Sequence, residues 1–137
     1  MTRKFTRKTL SLLNSSPLVA FAVAKDEFGS ALGWHIVWDK ALAAKYRAKS
    51  HLKNKGFKDV SILSGEDEYG HTLKRGFWVV VKSKRPEQTG KEFVAYGMGA
   101  DAGNYERAES KAIKHLQKLD PKWDAAHGYD ISKRGVF

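Results

Sequence analysis

The chain has 137 residues, with 25 Lys and Arg against 15 Asp and Glu, a formal charge of +10 and no cysteine. That length suits one domain with its own hydrophobic core, and the missing thiols exclude disulfides, thiolate metal sites and a cysteine nucleophile. The charge bears on partners rather than fold, and favours polyanions such as nucleic acid or an anionic surface.

Residues 1–25 hold Arg3, Lys4, Arg7, Lys8 and Lys25 and no acid. "MTRKFTRKTLSLLNSSPLVAFAVAKDE" imitates a secretory leader ending at Ala22-Val23-Ala24, but Asn14, Ser15, Ser16 and Pro17 interrupt its apolar middle. The expectation is a basic arm over 1–16 ahead of a single domain over 17–137, in the cytoplasm; a secreted or periplasmic location follows if residues 1–24 are a leader. "PLVAFAVA", the longest apolar run, is too short to span a bilayer.

"PLVAFAVAK" and "ALGWHIVW" are rich in β-formers and flank "DEFGS", which predicts a hairpin. A helix follows, with Asp39 placed to cap it, Ala41, Ala44, Ala48 and Leu52 on one stripe, and Gly56 to stop it. "FKDVSIL" reads as a short strand. Past the polar "SGEDEYGHTLKRG", "FWVVVKSK" and "KEFVAYGM" predict a second hairpin across "RPEQTG"; Tyr105, Ala108, Ala112, Leu116 and Leu119 then mark a second helix, ended by Pro121.

These pieces suggest a β-β-α-β unit used twice, over 17–63 and 75–133. "FAVAK" matches "WVVVK", the helix stripes superpose at an offset of 64, His51 falls on His115, and "GFKDVSI" is echoed by "HGYDISK". The expected fold is α+β: an antiparallel sheet of four to six strands with both amphipathic helices on one face.

Gly97, Gly99 and Gly103 in "YGMGADAGNYERAESKA" imitate a phosphate loop. A dinucleotide fingerprint needs a parallel strand before the glycines and an acid on the next strand, whereas this strand closes an antiparallel hairpin and no Lys-Ser/Thr follows. The expected role of the glycines is to permit a tight bend from strand to helix.

Lys45, Lys49 and Lys53 repeat every four residues beside the first helix's apolar stripe, with Lys40 and Arg47 on its other flank. Such a helix can track phosphates, and "KSKR" adds Lys82, Lys84 and Arg85. Trp34, Ile36 and Trp38 share one strand face, and Trp78, Val80 and Lys82 another; a sheet face left uncovered by the helices would offer aromatics for base stacking. His71 with Glu66, Asp67 and Glu68 makes a histidine-carboxylate set of the kind a ribonuclease toxin uses, or a hard-metal site. The plainer reading is a solvated acidic turn, so no metal, cofactor or catalytic role is expected.

From Asp39 to Leu119 the order α-β-β-β-α resembles the double-stranded-RNA-binding domain, through the first helix, Gly70-His71 before "FWVVVK", and "YGMG" leading to an alanine-spaced helix with Lys111. The resemblance implies that Lys45, Lys49 and His71 face successive minor grooves. Asn104, Tyr105 and Glu106 stand where that family has its lysine cluster. The chain is also similar to alanine-patterned β-β-α-β repeat proteins of bacterial envelopes, which implies binding of a partner or glycan without catalysis. The expected function is a non-catalytic module for nucleic acid, with structured RNA favoured and a protein partner as a further option.

Overall fold

The computed structural model describes residues 17–137 apart from Glu68, Gln88 and Thr89, so the basic arm at 1–16 and the Glu68 carboxylate lie outside the described residues. In chain order the elements are β1 (Pro17–Lys25), β2 (Ala31–Lys40), α1 (Ala41–Asn54), β3 (Asp59–Ser64), β4 (Phe77–Pro86), β5 (Glu92–Asp101), α2 (Tyr105–Leu119), a 3₁₀ turn (Ala125–His127) and β6 (Asp130–Val136). This is an α+β fold in which the order β-β-α-β occurs twice. No described helix is long and apolar enough to cross a membrane.

The six strands divide into two antiparallel sheets of three, ordered β2-β1-β3 and β5-β4-β6, with each unit's first strand in the middle. Strand β1 shows why a single sheet does not form. Its residues are apolar on both faces: Leu18, Ala20, Ala22 and Ala24 meet Ala44, Ala48 and Leu52 of α1, while Val19, Phe21 and Val23 meet Trp78, Val80, Met98 and Ala100 of the second sheet. Strand β4 repeats the pattern, with Val79 and Val81 against Ala108, Ala112 and Leu116 of α2. One sheet with both helices on one face would leave the Val19-Phe21-Val23 face in water, at about 1.5–3 kcal/mol per large side chain. The expected single sheet is thus replaced by four layers, α1, sheet, sheet and α2.

Two further expectations change with the layers. Both inner sheet faces are consumed by each other: Trp34 lies against Phe21 and Tyr96 at centroid distances of 5.9 and 6.2 Å, and Trp78 is buried. Among the described residues no aromatic sheet face is left uncovered; of these tryptophans only Trp38 is exposed. The three strands between the helices do not share a sheet either, since β3 pairs with β1 whereas β4 pairs with β5, and the helices lie on opposite outer faces.

Asp39 does not cap α1. Its carboxylate accepts from its neighbour Lys40 N–H at 2.8 Å and pairs with Arg47, and the helix starts without a side-chain cap. Helix α2 is capped by Asn104, whose side chain accepts from the Arg107 N–H.

The glycines of β5 serve packing. Gly97 and Gly99 face α2, and a Cβ on either would overlap the helix backbone at Ala108, Ala112 and Leu116. In the loop that follows, the Asp101 carboxylate accepts from Gly103 and Asn104 N–H at 2.8 and 3.2 Å, so these two amides are already occupied. The outer edge of β5 is closed by side chains: Ser30 Oγ accepts from Val94 N–H, His115 Nδ1 accepts from Met98 N–H, and Lys111 Nζ donates to the Ala100 carbonyl, at 3.0, 3.0 and 3.1 Å. These bonds blunt that edge against pairing with another chain.

Candidate nucleic-acid interface

Helix α1 turns Ala44, Ala48 and Leu52 inward and leaves Lys45, Arg47, Lys49 and Lys53 exposed, with exposed Lys40 just before it. Arg47 pairs with Asp39 at 2.6 Å. Among the described residues no carboxylate lies within ion-pair distance of Lys45, Lys49 or Lys53. At about 100° per residue, Leu42 and Tyr46 fall on the same flank as these lysines. They are 60% and 74% exposed, so the strip alternates cations with an apolar and an aromatic side chain.

At the junction of α1 and β2, His51 stacks on His35 with ring centroids 3.6 Å apart and planes 9° from parallel. Burial, then His51 and Lys55, hold His35 below the ordinary imidazole value. His51 thus packs against His35 of β2.

The other expected contacts are scattered. Lys82 and Lys84 belong to β4 in the second sheet, where Lys82 is half-buried over the Tyr96 ring at 5.5 Å and Lys84 is exposed. Arg85 is not a phosphate contact. Its side chain is 6% exposed, its Nε and Nη2 donate to both Asp120 oxygens at 2.7 Å, its Nη1 donates to Glu87 at 2.8 Å, and it lies over the Phe93 ring. The alternation of β4 explains this: Val79, Val81 and Arg85 fall on the α2 side of the sheet.

His71 is exposed on the loop between the two sheets, with Nδ1 3.5 Å from Asp67. The Asp67 carboxylate accepts from the N–H groups of His71 and Tyr69, and these bonds, that to His71 foremost, hold it below the usual carboxylate range. Asp67 therefore organises its own turn. Among the described residues no three His, Asp or Glu converge as metal ligands.

A groove of about 270 Å³ separates the end of β3 from α2. Leu63, Ser64, Gly65 and Glu66 form one wall, and Met98 with Lys111, Lys114, His115 and Lys118 forms the other. The i, i+3, i+7 spacing of the lysines around His115 is visible in the sequence, but the opposing wall comes from the other unit, so no local pattern announces the groove.

His115 lies between the layers, edge-on to Phe21 at 6.1 Å, and its pKa is pushed down to about 4, first by burial and then by Lys25 and Lys118. The unfolded chain protonates it near the ordinary 6.5, so between pH 6.5 and 4 the unfolded state binds more protons than the folded one. Stability is complete above that interval and declines through it as pH falls, by on the order of 3 kcal/mol from this residue. His115→Asn, which keeps an acceptor for the Met98 amide and cannot titrate, should remove most of the decline; urea midpoints at several pH values across the interval measure it.

The fold and site define a four-layer α+β protein of two β-β-α-β units with a basic helical face. No protein-family model, curated protein or solved structure matches the chain.

Proposed function

We propose that the protein is a non-catalytic nucleic-acid-binding module whose contact surface is the exposed flank of α1, with structured RNA as its preferred target. The observation that carries this reading is the strip itself: Lys45, Lys49 and Lys53, free of carboxylate partners among the described residues, alternate with exposed Leu42 and Tyr46. The three ammonium groups span about 12 Å along one rigid helix. Lysines in that array neutralise successive phosphates, and Tyr46 offers a face on which an unpaired base stacks. Lys40 and Arg47 extend the charge around the helix, Lys82 and Lys84 contribute to the field without joining the strip, and His71 lies apart from it.

Binding to a duplex RNA should weaken steeply with salt. The double change Lys45→Glu/Lys49→Glu should lower affinity at least tenfold at physiological salt and reduce the log-log salt slope by about 2, one for each phosphate contact removed. An affinity unchanged by that pair would eliminate the surface, and RNA recovered shortened from the titration would replace binding with cleavage.

The repeated unit, with its first strand central both times, favours a second reading as a partner- or glycan-binding repeat module of the bacterial envelope. Heparin in the same titration separates the two. Equal, salt-erased binding to RNA, DNA and heparin would make the charge generic and leave the second reading standing.

A further inference from the structure

We propose that the groove between β3 and α2 is a phosphate-binding site, with Lys114, Lys118 and the imidazole of His115 as its donors. It lies on the helix of the second unit, apart from α1, so either surface can be lost without the other.

The groove owes its shape to both units. Strand β3 ends at Ser64, and Gly65 turns inward, its N–H donating to the Val19 carbonyl at 2.9 Å; a Cβ there would overlap the Val19 side chain. Leu63 and Met98 line the groove together with the helix side chains.

The cations on α2 are not equivalent. Lys111 is committed, with its Nζ 3.1 Å from both the Ala100 carbonyl and the Asp101 carboxylate. Lys114 and Lys118 are exposed and have no carboxylate within ion-pair distance among the described residues. They stand four residues apart, one above the other on the same helix face, with His115 between them in the sequence.

The tautomer of His115 follows from its partner. Because Nδ1 accepts the Met98 N–H, its lone pair is used there and the ring proton sits on Nε2. The imidazole is neutral near pH 7, so it is a donor that adds no charge beside the lysines. Across the groove, Glu66 is the one carboxylate in the lining among the described residues, and the Ser64 hydroxyl donates to it at 3.3 Å.

Two free ammonium groups and one neutral N–H against a single carboxylate suit a compact dianion. A phosphate presents enough oxygens to accept from all three donors together, whereas a carboxylate has only two oxygens to share among them. The groove is larger than a phosphate, which leaves room beside Leu63 and Met98 for the organic group that carries it. Two sources share this chemistry: a small phosphate monoester, or the terminal phosphate of a nucleic-acid strand.

The test follows the Met98 amide and His115 ring resonances of the ¹⁵N-labelled full chain during titration at constant ionic strength. The probes are inorganic phosphate, uridine monophosphate, acetate, and a short oligoribonucleotide with either a 5′-phosphate or a 5′-hydroxyl. Saturable shifts are expected with phosphate, weakened at least tenfold by Lys114→Gln/Lys118→Gln and unaffected by Lys45→Glu/Lys49→Glu. Tighter binding of the mononucleotide than of inorganic phosphate assigns the small-monoester source; a preference for the 5′-phosphorylated strand over its 5′-hydroxyl twin assigns the strand end. Absence of saturable shifts, equal shifts with acetate, or shifts unchanged in the folded double glutamine variant would each overturn the proposal.

Discussion

Gly99→Ala should destabilise the protein by about 3 kcal/mol or more, a large cost for one added methyl group. The new Cβ would overlap the Ala108 carbonyl and the Ala112 amide of α2, with the Lys111 side chain also in the way. Backbone in a packed helix cannot yield as a flexible side chain does, so the whole helix must lift from β5 and open its contacts with Val79, Val81 and Ala95. Gly97→Ala meets Ala112 and Leu116 in the same way. Neither glycine has a positive φ, so this cost is purely steric. Gly56→Ala is the contrasting change: it has open space around it but a φ of +95°, and should cost only about 1–2 kcal/mol. Thermal unfolding followed by circular dichroism should show a fall of roughly 10 °C or more for Gly99→Ala, beyond that for Gly56→Ala. A melting temperature for Gly99→Ala above that of Gly56→Ala would mean that α2 does not lie so close.

Those glycines show how the sequence can name an element correctly and still miss its reason. The strands, helices and doubled β-β-α-β order were legible because hydrophobic period and turn residues are local signals. Gly97 and Gly99 read as a bend because the approach of α2 to β5 is a tertiary fact. The division into two sheets had a local trace: the continuous apolar run of β1, unlike an alternating one, needs cover on both faces. Chain order alone does not say whether that cover comes from one sheet's helices or from a second sheet. For the site, the lysine strip of α1 followed from helical spacing, and Leu42 and Tyr46 complete it because they fall outside the buried stripe. Arg85 went astray since its partner Asp120 is 35 residues away, and the groove at His115 was hidden because its walls come from different units.

Removing Arg85 tests how far that distant partnership holds the second unit together. Arg85→Met should destabilise by about 3–5 kcal/mol, because it leaves Asp120, itself 1% exposed, as a buried carboxylate without its cation. Asp120→Asn should cost less, since the guanidinium keeps Glu87 at 2.8 Å and the Phe93 ring at 4.4 Å. Arg85→Lys should fall between wild type and Met, because its ammonium keeps a cation for Asp120 but cannot supply both parallel bonds to the carboxylate oxygens. The double variant Arg85→Met/Asp120→Leu removes both charges together and should recover much of the loss, as replacement of a buried pair by apolar groups often does. Denaturant midpoints of Arg85→Met, Asp120→Leu and the double variant close the cycle. Simple additivity would mean that the two side chains act independently, and the buried pair would then not be what anchors the end of α2 to β4. On the proposed RNA-binding reading, affinity supplies the complementary readout: with its guanidinium sealed inside the fold, replacing Arg85 should leave the affinity of the folded protein unchanged, whereas replacing the exposed lysines of α1 should lower affinity without touching stability.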